Sequence, residues 1–355
     1  MKVVTVLGAR PQFIKAAALS RAIKSDTAFE EVIVHTGQHY DDNMSDIFFD
    51  QMGIPRPHFN LAVKSSRHGQ MTGQMLEAVE AVILDEKPDV VLVYGDTNST
   101  LAGALAARKL HIKVAHVEAG LRSFNMRMPE EVNRILTDRI SDYLFCPSQD
   151  AVNNLVREGF RNYPCVIHDV GDIMKDVALY YRDKAVKPDV SLPGSFVLAT
   201  LHRAENTNDK SRLIELWNTF DEISRIVPVV IPLHPRTRAM VTDLTAGRGN
   251  ANFIVIDPVG YLQMVYLVQH CDLVITDSGG LQKEAYYFKK YCLTIREETE
   301  WTELVGRGYN MLVGSNASKI FGALHKFRSN PSKGFDDDLY GDGKTASRIL
   351  AALKA

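Results

Sequence analysis

Short apolar runs rich in β-branched residues alternate with amphipathic stretches along the whole chain. The runs fall into two series. The first series comprises 2–8, 31–37, 89–96, 113–120, 143–148 and 166–171. The second series comprises 195–202, 228–235, 252–258, 273–280, 291–297 and 310–314. Strands this apolar are buried on both faces, which is typical of a parallel sheet flanked by helices. The pattern predicts an α/β protein with two doubly wound, Rossmann-like domains.

The segments between the strands predict helices and domain limits. Amphipathic spacing favours helices at 12–24, 72–86, 98–109 and 130–140. We predict an N-terminal domain at 1–170 and a C-terminal domain at 171–342, with an irregular linker near 184–194. A final helix within 343–355 is expected to pack back on the first domain. Ligands bind at the carboxyl ends of such strands, so two facing rows of loops predict a binding cleft.

Composition and charge exclude several function classes. The chain has 355 residues and a formal net charge of −2, so no broad basic field attracts nucleic acid or a membrane surface. No run approaches the roughly 18 apolar residues of a membrane helix. Residues 1–9 predict a first strand rather than a signal peptide. A cytoplasmic location is therefore expected.

The cysteines and histidines predict no metal site. The four cysteines form no CxxC pair and lie in or beside apolar runs, so we expect buried, reduced thiols at Cys146, Cys165, Cys271 and Cys292. The histidines show no HxxxH spacing. No GxGxxG fingerprint occurs either, so neither a metal nor a nicotinamide cofactor is expected.

Three acids are candidates for proton transfer. Asp96 follows the run VVLVYG, Glu118 follows the next predicted strand, and Glu130 opens a predicted helix in PEEVNR. Each has a structural alternative, because such acids also cap helices or offset the helix dipole. Carboxylates that crowd one partly desolvated site are pushed to different pKa values, which lets one donate a proton and another accept one. We therefore predict catalytic roles for all three.

Basic groups after other strands predict phosphate binding. Arg10 follows the first strand in GARPQFIK, where a guanidinium and a helix N-terminus together favour an anion. A structural turn with a surface arginine is the alternative. His202 and His234 follow the first two strands of the second series, in LHRAEN and LHPRT.

A glycine-rich segment in the second half strengthens the same prediction. Ser278, Gly279 and Gly280 run from a strand into a helix and expose backbone N–H groups that suit a diphosphate. Glu284, one turn later, is placed to accept hydrogen bonds from ribose hydroxyls. Arg296 follows the next strand and is expected to line the same cleft. Acids in the first half and phosphate-binding groups in the second half suit a nucleotide sugar.

Eight motifs in order carry a resemblance to a known family. They are GARPQFIK, YGDTNST, HVEAGLRS, PEEVNR, LHRAEN, LHPRT, TDSGGLQKE and YGDGKTASRI. This set resembles the non-hydrolysing UDP-N-acetylglucosamine 2-epimerases, which have a glycosyltransferase-B-like fold and work as homodimers. The resemblance implies removal of the C2 proton with expulsion of UDP, a bound 2-acetamidoglucal, and re-addition of UDP with a proton delivered to the other face.

The resemblance also implies roles for individual residues. Asp96, Glu118 and Glu130 are similar to the acid/base carboxylates, without an indication of which one removes the proton. The basic groups of the active site and the diphosphate correspond to Arg10, Lys15, Arg134 and His202. The UDP-binding set corresponds to Ser278, Gly279, Gly280 and Glu284. No metal or other cofactor is implied.

Departures from the common pattern point to one branch of the family. The opening GARPQFIK, the loop REETEWTE and a shortened segment before PEE resemble enzymes acting on UDP-2,3-diacetamido-2,3-dideoxy-glucuronate, a precursor of bacterial surface polysaccharides such as lipopolysaccharide O-antigen. A cation near the C6 carboxylate of that sugar is then expected, from Arg127 or Lys283, although solvated surface charge is the alternative for both. The segment 38–42 lacks the basic motif with which relatives bind a second UDP-sugar, which puts a regulatory site in doubt.

Three other functions remain open on the sequence alone. A UDP-sugar glycosyltransferase of the same architecture would need an acceptor site, and the sequence offers no basic or amphipathic patch for one. A nucleotide-sugar sensor would bind without turnover and would not need three acids. A hydrolysing epimerase would release free UDP and a free sugar.

Overall fold

The computed structural model describes residues 1–38, 49, 53, 55–65, 67–233, 237–241, 252–329, 334–335 and 339–355. The chain divides into two units, which are Met1–Leu179 with Asp337–Ala355 (unit 1) and Tyr180–Asp336 (unit 2). The first boundary lies nine residues beyond the predicted residue 170 and ahead of the irregular stretch 184–194. It falls inside a continuous helix, so no break in composition marks it in the sequence.

Unit 1 is built on a parallel seven-stranded sheet with strand order β3-β2-β1-β4-β5-β6-β7. Its strands are β1 (Lys2–Leu7), β2 (Glu30–His35), β3 (Phe59–Asn60), β4 (Val90–Tyr94), β5 (Lys113–Val117), β6 (Tyr143–Cys146) and β7 (Val166–Asp169). The order reverses direction between β1 and β4. Neighbouring connections therefore leave on opposite faces there and open a crevice, which is the usual ligand site of a doubly wound sheet.

The helices of unit 1 follow the predicted alternation. They are α1 (Arg10–Lys24), α2 (His68–Glu86), α3 (Asn98–Lys109), α4 (Pro129–Ile140), α5 (Gln149–Arg157), a short 3₁₀ helix (Phe160–Asn162) and α6 (Ile173–Arg182). One core cluster packs the valines of β1, β2 and β4 against alanines of α3 and aliphatic side chains of α2. The small alanine face lets α3 lie close to the sheet.

Unit 2 is built on a parallel six-stranded sheet with strand order β10-β9-β8-β11-β12-β13. Its strands are β8 (Val197–Thr200), β9 (Val229–Pro232), β10 (Phe253–Ile256), β11 (Leu273–Thr276), β12 (Tyr291–Thr294) and β13 (Asn310–Leu312). Its described helices are α7 (Ala204–Thr207), α8 (Lys210–Ser224), α9 (Tyr261–His270), α10 (Gly279–Tyr287), α11 (Thr302–Gly306) and α12 (Ala317–Ser329). Here the order reverses between β8 and β11. The predicted fold class, two doubly wound α/β domains, is confirmed.

The last helix, α13 (Thr345–Lys354), belongs to unit 1. Asp176 on α6 accepts hydrogen bonds from the backbone N–H groups of Thr345 (3.0 Å) and Ala346 (2.8 Å). A carboxylate from another helix thus caps the free N–H groups at this helix start. At the other end, the ammonium of Lys354 lies 2.5 Å from Asp26. Within the part of the chain that the structure describes, no helix is both long enough and apolar enough to cross a membrane.

Candidate active site

The switch point of unit 1 carries two of the predicted acids. Asp96 follows β4, and Glu118 follows β5, the neighbouring strand. Gly95 (φ +61°) and Glu118 (φ +73°) both adopt left-handed backbone. This conformation is unfavourable for a residue with a Cβ, and such strain concentrates at functional sites. The two adjacent turns bring both carboxylates to the same edge of the sheet.

Glu118 forms an ion pair with Lys15 of α1. Both side chains are largely buried, with 6% and 13% of their surface exposed. Gly95 lies against this pair, since a Cβ there would stand 3.3 Å from Glu118 Oε2 and 3.4 Å from Lys15 Nζ. The structure thus joins two of the predicted site residues directly. A side chain at Gly95 would press against the charged ends of both, which is consistent with a glycine at this position of the YGDTNST motif.

Asp96 forms an ion pair with Arg134 of α4. Both are predicted site residues, but their pairing was not predicted. Its side chain is 32% exposed, so the carboxylate remains accessible to a ligand. The Arg134 guanidinium also donates to Glu131 Oε2 at 2.9 Å. The side-chain amide of Asn133 donates to the backbone carbonyl of Asp96 at 3.0 Å and so holds this turn in place.

The other two candidates of unit 1 stand at the starts of helices. Glu130 occupies the first turn of α4 and is exposed. Arg10 is the first residue of α1 and is also exposed. Both stand at helix starts beside the carboxyl edge of the sheet, where an incoming anion or sugar could reach them. Their assignment rests on the motif resemblance.

Gln12 organises the switch point of unit 1, a role that the sequence did not suggest. Its side-chain oxygen accepts from the backbone N–H groups of Gly8 (2.8 Å) and Ala9 (3.0 Å). Its amide nitrogen donates to the Tyr94 carbonyl (2.8 Å) and to Thr100 Oγ1 (2.9 Å). One buried amide therefore ties the loop after β1 to the end of β4. Its place in the GARPQ motif was the only available signal.

A buried polar chain lies behind Glu118 and was also missed. His116 Nδ1 is 2.7 Å from Asp138 Oδ1, and His116 Nε2 is 2.7 Å from the Gly95 carbonyl. Arg122 joins Asp138 (2.7 Å) to Glu158, which it holds through two hydrogen bonds of 2.7 and 2.8 Å. Burial alone would raise the pKa of Asp138, but His116 and Arg122 hold it below its ordinary value. From the protein interior, this network of buried polar side chains fixes the left-handed turns at Gly95 and Glu118.

The switch point of unit 2 carries His202, which follows β8. Its Nδ1 lies 2.9 Å from Asp277 Oδ1. Asp277 is fully buried and also accepts from the backbone N–H of Arg203 (3.0 Å) and from Asn206 Nδ2 (3.0 Å). Burial would raise the pKa of Asp277, but these donors and His202 hold it below its ordinary value. Asp277 thus holds Nδ1 of the imidazole, whose side chain is 55% exposed.

Ser278 caps α10 by accepting from the Leu281 N–H at 3.4 Å. A Cβ at Gly279 would stand 2.5 Å from Glu300 Oε1, so the Glu300 side chain would have to move to admit one. A Cβ at Gly280 would meet open space, so backbone at this helix start is accessible. Arg296 is buried and donates to Glu300 at 3.0 Å. Because Glu300 lies beside Gly279, Arg296 is close to the start of α10.

Glu284 is buried one turn further along α10. Burial raises its pKa to about 7, against the opposing effects of Tyr261 and Lys283. Lys283 itself is 2% exposed, with its ammonium 3.9 Å from the centre of the Trp301 ring. Lys283 is therefore a buried cation rather than a solvated surface charge, whereas Arg127 is exposed.

The raised pKa of Glu284 predicts a pH dependence of stability. Between its ordinary value of 4.5 and about 7, the folded state keeps a proton that the unfolded state releases. The free energy of unfolding should therefore fall with rising pH, by about 1.4 kcal/mol per pH unit and about 3 kcal/mol in all. The variant Glu284→Gln stays neutral and should lose this slope in chemical unfolding measured from pH 5 to pH 8.

The control for this experiment is Glu215→Gln, which changes an exposed glutamate of α8 in the same unit. It should keep the wild-type slope. Parallel stability curves for wild type and Glu284→Gln would show that Glu284 titrates normally.

Some predictions fall outside the described residues, among them the UDP-binding role of His234 and the regulatory segment from residue 39 onward. The last described residue before that segment, Gln38, accepts from the Ser99 N–H (3.1 Å) and hydroxyl (2.8 Å). Over the ranges that the structure describes, no three His, Cys, Asp or Glu side chains are grouped to hold a metal ion. All four cysteines are free thiols, but Cys165 is only half-buried, so the expected burial is wrong at that position.

The fold and these clusters define a class of protein: a two-unit, doubly wound α/β protein with carboxylate–cation pairs at one switch point. The other switch point has a histidine–carboxylate pair beside an open, glycine-rich helix start.

The chain belongs to the UDP-N-acetylglucosamine 2-epimerase family, whose model matches residues 21–354. It is 54% identical to UDP-2,3-diacetamido-2,3-dideoxy-D-glucuronate 2-epimerase of Pseudomonas aeruginosa, over 99% of each chain. The UDP-GlcNAc 2-epimerase of Methanocaldococcus jannaschii, solved with UDP-GlcNAc and UDP, is 42% identical with a TM-score of 0.88, over 100% of this chain and 99% of that one. The Neisseria meningitidis enzyme bound to UDP-GlcNAc is 30% identical with a TM-score of 0.89, over 100% of both. The family resemblance drawn from the motifs is confirmed.

Proposed function

We propose that this protein is a non-hydrolysing 2-epimerase that inverts C2 of a UDP-bound 2-acetamido sugar. The observation that carries the proposal is the pair of carboxylates Asp96 and Glu118 at adjacent strand ends, each held by a buried or half-buried cation. Inversion at one carbon needs proton removal on one face and proton delivery on the other, hence two proton-transfer groups. No reaction partner other than the nucleotide sugar is required.

The cations suit the proton-transfer roles. Glu118 lies against Lys15, and Asp96 lies against Arg134. As a carboxylate, such a group accepts the C2 proton, and as a protonated carboxyl group it delivers a proton to the opposite face. The C2 proton is barely acidic, so most of the barrier must be lowered by departure of UDP. The bond from C1 to the diphosphate oxygen breaks as the C2 proton leaves, and the electron pair of the C2–H bond forms the C1–C2 double bond. The diphosphate oxygen of UDP then re-forms its bond to C1, and a proton adds to the opposite face of C2, which gives the epimer.

Unit 2 supplies the groups for the leaving UDP. Asp277 holds Nδ1 of His202, and when both ring nitrogens carry protons, Nε2 can donate to a phosphate oxygen. Backbone N–H groups at the start of α10 add fixed donors for the same anion. Preorganised donors of this kind stabilise the negative charge that grows on the diphosphate in the transition state.

The substrate we propose is UDP-2,3-diacetamido-2,3-dideoxy-glucuronate. Identity is 54% to the relative named for that substrate and 42% to the structure named for UDP-GlcNAc, both over nearly complete chains. The added C6 carboxylate calls for a cation. Of the two predicted sources, Arg127 is exposed and Lys283 is buried against Trp301, which favours Arg127. We further propose a cytoplasmic homodimer that serves synthesis of lipopolysaccharide O-antigen.

Substrate preference tests this assignment. The wild-type enzyme should have a higher kcat/KM for the diacetamido-glucuronate than for UDP-GlcNAc, and Arg127→Gln should lower the former by about tenfold or more. It should leave the latter within about twofold. Arg157→Gln, which removes an exposed arginine from the last turn of α5, serves as the matched control. If Arg127→Gln lowered kcat/KM equally for both substrates, Arg127 would not recognise the C6 carboxylate.

A further inference from the structure

The loop between β5 and α4 holds a large apolar side chain in an unfavourable state. Phe124 adopts left-handed backbone (φ +58°), which residues with a Cβ rarely do. Its side chain is 72% exposed, and Met126 two residues later is 62% exposed. The backbone conformation opposes folding, and the exposed ring contributes little burial free energy to offset that cost. Such a combination persists only where the surrounding structure enforces it.

The enforcing group is Glu131, which is fully buried. Its Oε2 accepts from the Ser123 N–H and from the Ser123 hydroxyl, both at 2.9 Å. Its Oε1 accepts from the Phe124 N–H at 2.9 Å. One carboxylate therefore sets the conformation of the turn that presents Phe124.

The same carboxylate connects the turn to the catalytic acid. Arg134 donates to Glu131 Oε2 at 2.9 Å and forms an ion pair with Asp96 through its other terminal nitrogen. The position of Phe124 is thus coupled to that of Asp96 through one carboxylate and one guanidinium. A folding requirement alone would not place an exposed ring on this network.

We propose that Phe124 is a substrate-contacting residue that forms the apolar wall of the sugar subsite beside Asp96. This inference rests on the proposed epimerase function. During the reaction the sugar is separated from UDP as an unsaturated 2-acetamido ring that has lost the diphosphate, so the groups that bind the diphosphate no longer hold it and its C6 carboxylate is its only charge. An aromatic face covers the apolar C–H face and acetamido methyl groups of that ring. It also keeps water away until UDP returns.

The test uses substitutions that fit left-handed backbone, so that loss of the ring is separated from misfolding. Phe124→Gly and Phe124→Asn should both fold, with thermal midpoints equal to or above that of wild type, because Gly and Asn accept this conformation. Their kcat should fall at least about tenfold, and the share of turnovers that release free UDP and the unsaturated sugar should rise about tenfold. Affinity for UDP alone should stay within about twofold, because the ring contacts the sugar and not UDP.

Leu136→Asn is the matched control, since it removes an apolar side chain that is 46% exposed on α4. It should leave kcat and the release of UDP unchanged. The proposal would be overturned if both Phe124 variants kept the wild-type kcat and the wild-type partitioning, meaning the share of turnovers that release free UDP and the unsaturated sugar. A changed sedimentation coefficient without a change in partitioning would instead assign the ring to a contact between copies. Absence of C2 proton exchange in the wild-type enzyme would contradict the epimerase function itself, whatever the variants do.

Discussion

Replacing Glu118 by glutamine is expected to lower kcat by about 10² to 10⁴-fold, the usual contribution of a general acid or base. Glutamine keeps the size of the side chain and an acceptor for Lys15, but it cannot take up a proton from C2. Affinity for UDP should change by less than about twofold, because Glu118 belongs to the proton-transfer groups and not to the diphosphate site. Steady-state epimerisation and calorimetric titration with UDP measure the two quantities.

Asp96→Asn and Glu130→Gln complete the series, and Glu77→Gln on the exposed face of α2 provides the control. Each site variant should show the same separation of kcat from UDP affinity. The comparison also ranks Glu130, which is exposed, against the two ion-paired carboxylates. Full activity in Glu118→Gln would remove Glu118 from proton transfer, and a parallel loss of UDP affinity would reassign it to binding.

Replacing Arg122 by leucine is expected to lower the free energy of unfolding by about 3–5 kcal/mol, the usual cost of breaking a buried ion pair. Arg122 is 1% exposed in its side chain and neutralises Asp138, which is wholly buried. Without Arg122 the Asp138 carboxylate loses that positive charge and keeps its hydrogen-bond contacts with His116 Nδ1 and the Gly120 N–H. The thermal midpoint of unit 1 should fall on the order of 10 °C.

Arg108→Leu is the matched control for this prediction. Arg108 pairs with Asp142 at 2.9 Å, but its side chain is 45% exposed, so its loss should cost less than about 1 kcal/mol. Equal midpoints for the two variants, measured by differential scanning calorimetry, would show that burial adds nothing to the Arg122 pair.

The sequence predicted most of the fold because parallel strands buried on both faces have an unmistakable composition. Nearly every predicted run extends past its strand, as at 89–96, where β4 ends at Tyr94. The extra residues form the turn that carries Asp96. Because the residues before this turn are apolar, the sequence pattern does not show where the strand ends. The strand β3 is only Phe59–Asn60, too short to give a periodic signal.

Candidate site residues could be predicted where they directly follow a strand. Hydrogen-bond partners that are distant in sequence could not be predicted. Asp96 and Glu118 lie at strand ends and could be found from that position alone. His116 and Asp138 are 22 residues apart, on a strand and a helix, and no periodicity links them. The left-handed backbone of Glu118 and Phe124 was equally invisible, because tertiary contacts and not residue type impose it.

Proton and phosphorus NMR of the wild-type enzyme in D₂O, with UDP-2,3-diacetamido-2,3-dideoxy-glucuronate as substrate, tests the central claim most directly. We expect the manno epimer, one deuteron at C2 in both epimers, and no accumulation of free UDP. Epimerisation with the C2 proton retained would contradict the proton-transfer roles of Asp96 and Glu118. Stoichiometric release of UDP and free sugar would contradict the non-hydrolysing mechanism. No exchange on this substrate or on UDP-GlcNAc would contradict the epimerase function as a whole.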